Sequence, residues 1–225
     1  MAKSELKLEA RDLRKGGLGV KTIAHKLKVS SSTVSLWCRD IKLSPEQIAV
    51  LEMNQKDPFY GRRLAYSLKQ QNVRLEKEKI IKADALKEIG FLSQRDLLIA
   101  GVSLYWAEGF KKDNMVGFAN TDPEMIKFII NWLKICFQVE YTKIRLRVGI
   151  NESHKHRTNI IEKYWSDTLN IPLSQFSKPF FLKVKWEKIY EHPENYFGTL
   201  RVRVLKSTDL LRRIKGMIAG LTRPN

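Results

Sequence analysis

Three short runs in the chain alternate basic and apolar residues with a period of two: KIRLRVGI (143–150), LKVKW (182–186) and TLRVRVLK (199–206). A β-strand points successive side chains to opposite faces, so each run predicts a strand with one apolar and one charged side. Lys143, Arg145, Arg147, Lys183, Lys185, Arg201 and Arg203 fall on one side. Ile144, Leu146, Val148, Leu182, Val184, Trp186, Leu200, Val202 and Val204 fall on the other. If the strands share a sheet, helices must cover the apolar face, and the opposite face becomes a basic saddle. A solvated sheet face usually mixes its charges; here only Thr199 and Glu187 dilute the cations. Uniform sign along three strands is repulsive unless a polyanion neutralises it. If seven phosphates of duplex DNA were neutralised, log K would fall with log salt at a slope of about −6.

The whole chain leans the same way. Its 41 Lys and Arg against 24 Asp and Glu give a formal charge of +17, which favours nucleic acid over an anionic membrane. Charge alone does not separate DNA from RNA. The opening MAKSELKLEA is charged and lacks the apolar core of a signal peptide, and no apolar run approaches the roughly 20 residues that span a bilayer. Cys38 and Cys136 are lone cysteines, as in a reducing compartment. The expectation is a cytoplasmic protein without membrane contact.

Near the start, VKTIAHKLKVSSSTVSLWCRD (20–40) places Ile23, Ala24 and Leu27 at helical spacing, interrupts at Val29-Ser30, and resumes with Val34 and Trp37. Ser30 or Ser31 is the expected N-cap, and LEARDLRKGG upstream supplies a third helix. This pattern resembles the helix-turn-helix of resolvase-type and other bacterial DNA-binding proteins, departing from it at Lys28, where those carry glycine. The resemblance implies that the second helix enters the major groove. Ser31, Ser32, Thr33 and Ser35 would then face bases or phosphates, with Lys21 and Arg39 on phosphates.

Downstream, Ser44-Pro45 reads as a serine cap followed by proline at the first helical position, and DPFYG (57–61) as a turn. From Arg62 to about Glu88 a long charged helix has only a narrow apolar stripe: Leu64, Leu68, Leu75, Ile80 and Leu86. It reads as a solvated spacer; a partner-binding helix is the other reading, though sustained heptads are absent.

The segment SQRDLLIAGVSLYWAEGFKK (93–112) puts Ala100, Ser103 and Ala107 on one helix face and ends at Glu108-Gly109. It resembles the signature helix of the LAGLIDADG family: Gly109 matches the final glycine, Glu108 the final acid and Ala107 the preceding alanine. Ser103 stands at the internal glycine and Trp106 where the first aspartate is common. The strand, turn and helix of MVGFANTDPEMIKFIINWLK follow as in that family, and the resemblance covers roughly residues 93–221. It implies a homodimer packed through the 95–109 helix, with the two Glu108 carboxylates side by side. In the family's nucleases that acid holds a divalent metal, usually Mg²⁺, and a pair of acids cuts both strands. Glu108 would be the metal ligand here, with Lys111, Lys143 or Lys183 stabilising developing charge; nothing in the spacing brings Asp113, Asn114 or Asp122 to it. Family-like proteins that join a helix-turn-helix to a domain without cleavage activity supply the other precedent, a regulator.

The remaining signals are structural. His154 and His156 read as a solvated pair, and Tyr164-Trp165 and Phe180-Phe181 as core. The expected fold is α+β: an all-α helix-turn-helix domain (1–43), a helical linker (44–92), and an α/β sandwich with a mainly antiparallel, LAGLIDADG-like sheet (93–225). The expected function is sequence-specific binding of double-stranded DNA, as by a transcriptional regulator. The alternative is a Mg²⁺-dependent site-specific endonuclease.

Overall fold

A computed structural model describes residues 3–54, 60–183 and 191–223. They form an α+β protein of two compact units that divide after Gly90, residues 191–193 belonging with the first. Gly90 has φ +57, a left-handed conformation that stops the preceding helix.

In the first unit, α1 (Lys3–Lys15), α2 (Val20–Leu27) and α3 (Ser31–Trp37) enclose a small core of Ala10, Ile23, Ala24, Val34 and Cys38. Ser30 is the N-cap of α3, its hydroxyl accepting from the Thr33 N–H. Lys28, at the usual glycine position, leaves the turn intact: it adopts φ 54, ψ 42, and its N–H reaches the Ala24 and His25 carbonyls. A non-glycine residue held there costs about 1 kcal/mol. Arg11 ties α1 to the end of α3, donating to the Trp37 carbonyl, to both Asp40 oxygens and to Glu191.

The next helix, α4 (Pro45–Asn54), opens with a reciprocal Ser44–Gln47 capping box, and Gln47 Nε2 donates to the Lys15 carbonyl. The turn expected over 57–61 lies outside the described residues except for Tyr60 and Gly61, which already belong to α5 (Tyr60–Ile89). Among the described side chains of α5, only Leu64 and Gln71 are even half-buried, and Val73, Ile80 and Leu86 stand exposed. The helix is solvated.

The second unit runs α6 (Gln94–Glu108), β1 (Gly117–Asn120), α7 (Pro123–Phe137), β2 (Ile144–Asn151), α8 (Thr158–Leu169), β3 (Phe180–Leu182), β4 (Thr199–Val204) and α9 (Thr208–Leu221). The strands form one mixed sheet in the order β1-β4-β2-β3: β4 is antiparallel to both neighbours, and β2 pairs with β3 in parallel. Ile144, Leu146 and Val148 of β2 and Leu200, Val202 and Val204 of β4 are at most 2% exposed and pack beneath the helices. Each such side chain withdrawn from water contributes about 1.5–3 kcal/mol, enough to fix which face of the strands turns inward.

Two of the three sequence runs therefore hold as strands. The third is displaced: β3 is Phe180–Leu182, Leu182 is 44% exposed rather than inward, and Lys183 follows the strand. Lys185, with Val184, Trp186 and Glu187, lies outside the described residues. Lys143 ends a 3-10 turn (Tyr141–Lys143) that precedes β2, so it too leaves the strand alternation.

Candidate nucleic-acid interface

With the helices on one face of the sheet, the other is left to the outward-pointing residues of the two central strands. Register sets them directly opposite one another: Arg145 faces Arg203 and Arg147 faces Arg201. Like charges across a strand pair are destabilising, and among the described residues one carboxylate answers them, Asp113, 2.6 Å from Arg203. The others lean on neutral acceptors. Arg145 donates to the Thr142 and Ile144 carbonyls, and Arg147 Nε to the Lys178 carbonyl at 2.8 Å. Arg201 Nε is buried with no hydrogen-bond partner. Burial, with Arg203 and Arg147 adding to it, pushes the Arg201 guanidinium below its ordinary pKa. It remains a cation at neutral pH.

Two aromatic rings hold these guanidinium groups. Arg201 lies 5.1 Å from the centre of Phe110 and 4.9 Å from that of Phe180; Arg147 also stacks over Phe180 and Arg203 over Phe110. Both rings need a bare backbone beneath them. A Cβ on Gly117 would come within 2.4 Å of Phe110, and one on Gly149 within 2.2 Å of Phe180. Phe110 is positioned from α6: its N–H bonds the Gly117 carbonyl, while the buried Tyr105 hydroxyl donates to the Phe110 carbonyl and accepts from the Gly117 N–H. Burial raises the Tyr105 pKa, so it remains a neutral phenol that can donate.

Sequence reasoning missed this aromatic layer. Phe180-Phe181 read as core, yet parallel pairing of Phe180 with Gly149 puts Phe180 on the arginine face, and only Phe181 packs against the core. Glycines on the charged side of two strands, at Gly117 and Gly149, were the available signal. Tyr164 and Trp165 meet their core expectation, Trp165 being fully buried with its indole N–H on the Phe197 carbonyl. His154 does not stay solvated: it is 8% exposed beneath Tyr196, and burial, Arg157 and His156 lower its pKa.

At the end of α6 several of the candidate catalytic groups already have other partners. Glu108 is exposed. Lys111 turns back on the helix, donating to the Trp106 and Ala107 carbonyls, where a cation meets the unsatisfied C-terminal carbonyls. It is a helix cap rather than a free charge stabiliser. Asp113 is taken by Arg203, and Asp122 caps α7 by accepting from the Glu124 N–H. No group of three or more His, Cys, Asp or Glu side chains placed to hold a metal occurs among the described residues. Gly109 ends α6 in an extended conformation (φ −72) and is required because a Cβ would lie 2.5 Å from the Tyr105 carbonyl oxygen. The α6 helix packs tightly against α7 on another face, where a Cβ on Gly101 would meet the Trp132 indole at 2.1 Å; Ala100, Ser103 and Ala107 are exposed.

In the first unit, Lys21, Ser31, Ser32, Ser35 and Arg39 are exposed. Thr33 is half-buried, and its hydroxyl sits 2.7 Å from Ser30 Oγ within the cap, as Ser32 Oγ does at 2.9 Å. Lys21, Ser31, Ser32 and Ser35 open onto a cleft of about 510 Å³ whose other wall is Arg63 and Leu64 of α5.

No family model matches the chain, and no curated protein or solved structure does. Among the described residues, no helix is long and apolar enough to cross a membrane.

Proposed function

We propose that the protein binds double-stranded DNA through two surfaces: the arginine face of the sheet, which grips the phosphate backbone, and α3, which reads base edges. In this reading residues 1–43 are a helix-turn-helix domain, 44–92 a helical connection, and 93–225 a LAGLIDADG-like domain serving a regulator. The observation that carries it is the set of four arginines facing each other in pairs on the sheet face opposite the helices, with a single carboxylate bonded to them among the described residues. A fold tolerates such repulsion when a polyanion relieves it. Exposed Ile99, Ala100, Ser103, Trp106 and Ala107 give α6 a largely apolar outer face, which supports pairing of two chains through this helix. Cleavage rests on Glu108 alone, and no step through a metal follows from one chain.

Titration of a labelled duplex by the full chain, with Arg145, Arg147, Arg201 and Arg203 all changed to Gln, tests the assignment. Four lost phosphate contacts should weaken binding about 10³-fold at 0.15 M salt and flatten the log K against log salt slope by about 3.6. Unchanged affinity and slope would remove the sheet from the interface, and tighter binding of single-stranded RNA than of duplex would replace DNA as the partner.

A further inference from the structure

The arginine face is hollowed where Ser177 and Lys178 border it, a recess of about 330 Å³ lined by these two residues and Leu146 with the four arginines. We propose that this recess is a seat for one phosphate group, centred on Arg201, able to take either a backbone phosphodiester or a free phosphate. The proposal rests on the DNA-binding reading only for its duplex arm.

Three features argue for a seat rather than a diffuse patch. Arg145 and Arg147 are fixed by backbone carbonyls, which set their positions without cancelling any charge. Arg201 is fixed by packing against Phe110 and Phe180 instead, which leaves its N–H edge uncommitted and its buried Nε unmet. A planar guanidinium gripped by rings presents that edge in the geometry that donates to two oxygens of one anion. The third feature is charge: among the described residues four cations meet one carboxylate, Asp113, which leaves an excess of positive charge. A carboxylate ligand brings two oxygens in a plane, whereas a tetrahedral phosphate offers oxygens to several guanidinium groups at once.

The test follows thermal unfolding of the full chain in sodium phosphate and in sodium chloride at equal ionic strength, beside salt-dependent titration of a 20-base-pair duplex. Phosphate at roughly ten times its Kd should raise Tm by about 3 °C over chloride, and Arg201→Gln should lose that increment. In the duplex arm Arg201→Gln should flatten the salt slope by about 0.9. Lys163→Gln, at an exposed position on α8, controls for net charge and should alter neither reading. An increment lost while duplex binding stays normal assigns the seat to free phosphate. A flattened slope without any increment assigns it to the polymer backbone. If Arg201→Gln fails to fold, Arg147→Gln, at an exposed residue, carries both measurements. Phosphate binding without duplex binding retires the DNA reading and leaves the seat standing. No phosphate-specific increment, together with an unchanged slope, overturns the seat.

Discussion

The two surfaces proposed to meet DNA are built from opposite chemistry. The outer side of α3 carries Ser31, Ser32 and Ser35, neutral hydroxyls that donate and accept at short range. The sheet carries Arg145, Arg147, Arg201 and Arg203, long-range cations with no acceptor capacity. Hydroxyls near base edges discriminate between sequences, whereas guanidinium groups near phosphates hold any sequence. The contrast extends to what supports each surface. The serines stand on a seven-residue helix held by one cap and by Arg11. The arginines stand on paired strands over a deep core, and their rings and glycines are interlocked. In the proposed reading, selectivity would rest on the smaller helical core and affinity on the sheet.

The sharpest way to break that comparison is at Gly149. Valine ordinarily suits a strand, but here its side chain enters the space of the Phe180 ring, 2.2 Å from where Cβ would stand. Gly149→Val should destabilise the second unit by about 1–3 kcal/mol, measured by urea unfolding, and weaken duplex binding in parallel. Undiminished stability would mean that the ring is not locked. A smaller effect belongs to Ser30→Ala: losing the cap costs about 1 kcal/mol, so amide exchange in α3 should accelerate about fivefold while β2 and β4 keep their protection. Equal acceleration in both would show that the units do not fold separately.

The smallest effect is a pH dependence confined to the first unit. Hydrogen bonding from Arg11 lowers the Asp40 carboxyl to about 2 from its ordinary value near 3.8, so its contribution is present above about pH 4 and is lost as pH falls toward 2. Amide exchange at Ile23 and Val34 should separate wild type from Asp40→Asn at pH 5, the difference closing by pH 2. A difference that grows on acidification would reverse the assignment. Because Asp40 is largely exposed, the effect is modest.

How much was legible follows the range of the forces. Ser30, Ser44 and Pro45 act on residues two or three away, so both helix starts could be read directly. Lys28 could not, since nothing in a lysine announces a left-handed backbone. The alternation in β2 and β4 was legible because burial has a period of two. The meeting of Arg147 with Arg201 was not, because it depends on register between distant segments. Nor was the fate of Lys111, whose amine is claimed by the end of its own helix. The aromatic layer shows the same limit: Phe110 and Gly117 become neighbours through the Tyr105 hydroxyl, a contact that no local pattern encodes.

The facing arginine pairs also have a practical side. Their mutual repulsion is strongest in dilute buffer, where the screening length reaches about 30 Å at 0.01 M, and it fades as electrolyte is added. Moderate salt should therefore prolong the shelf life of the purified protein. Low-ionic-strength dialysis is the handling step it should tolerate least.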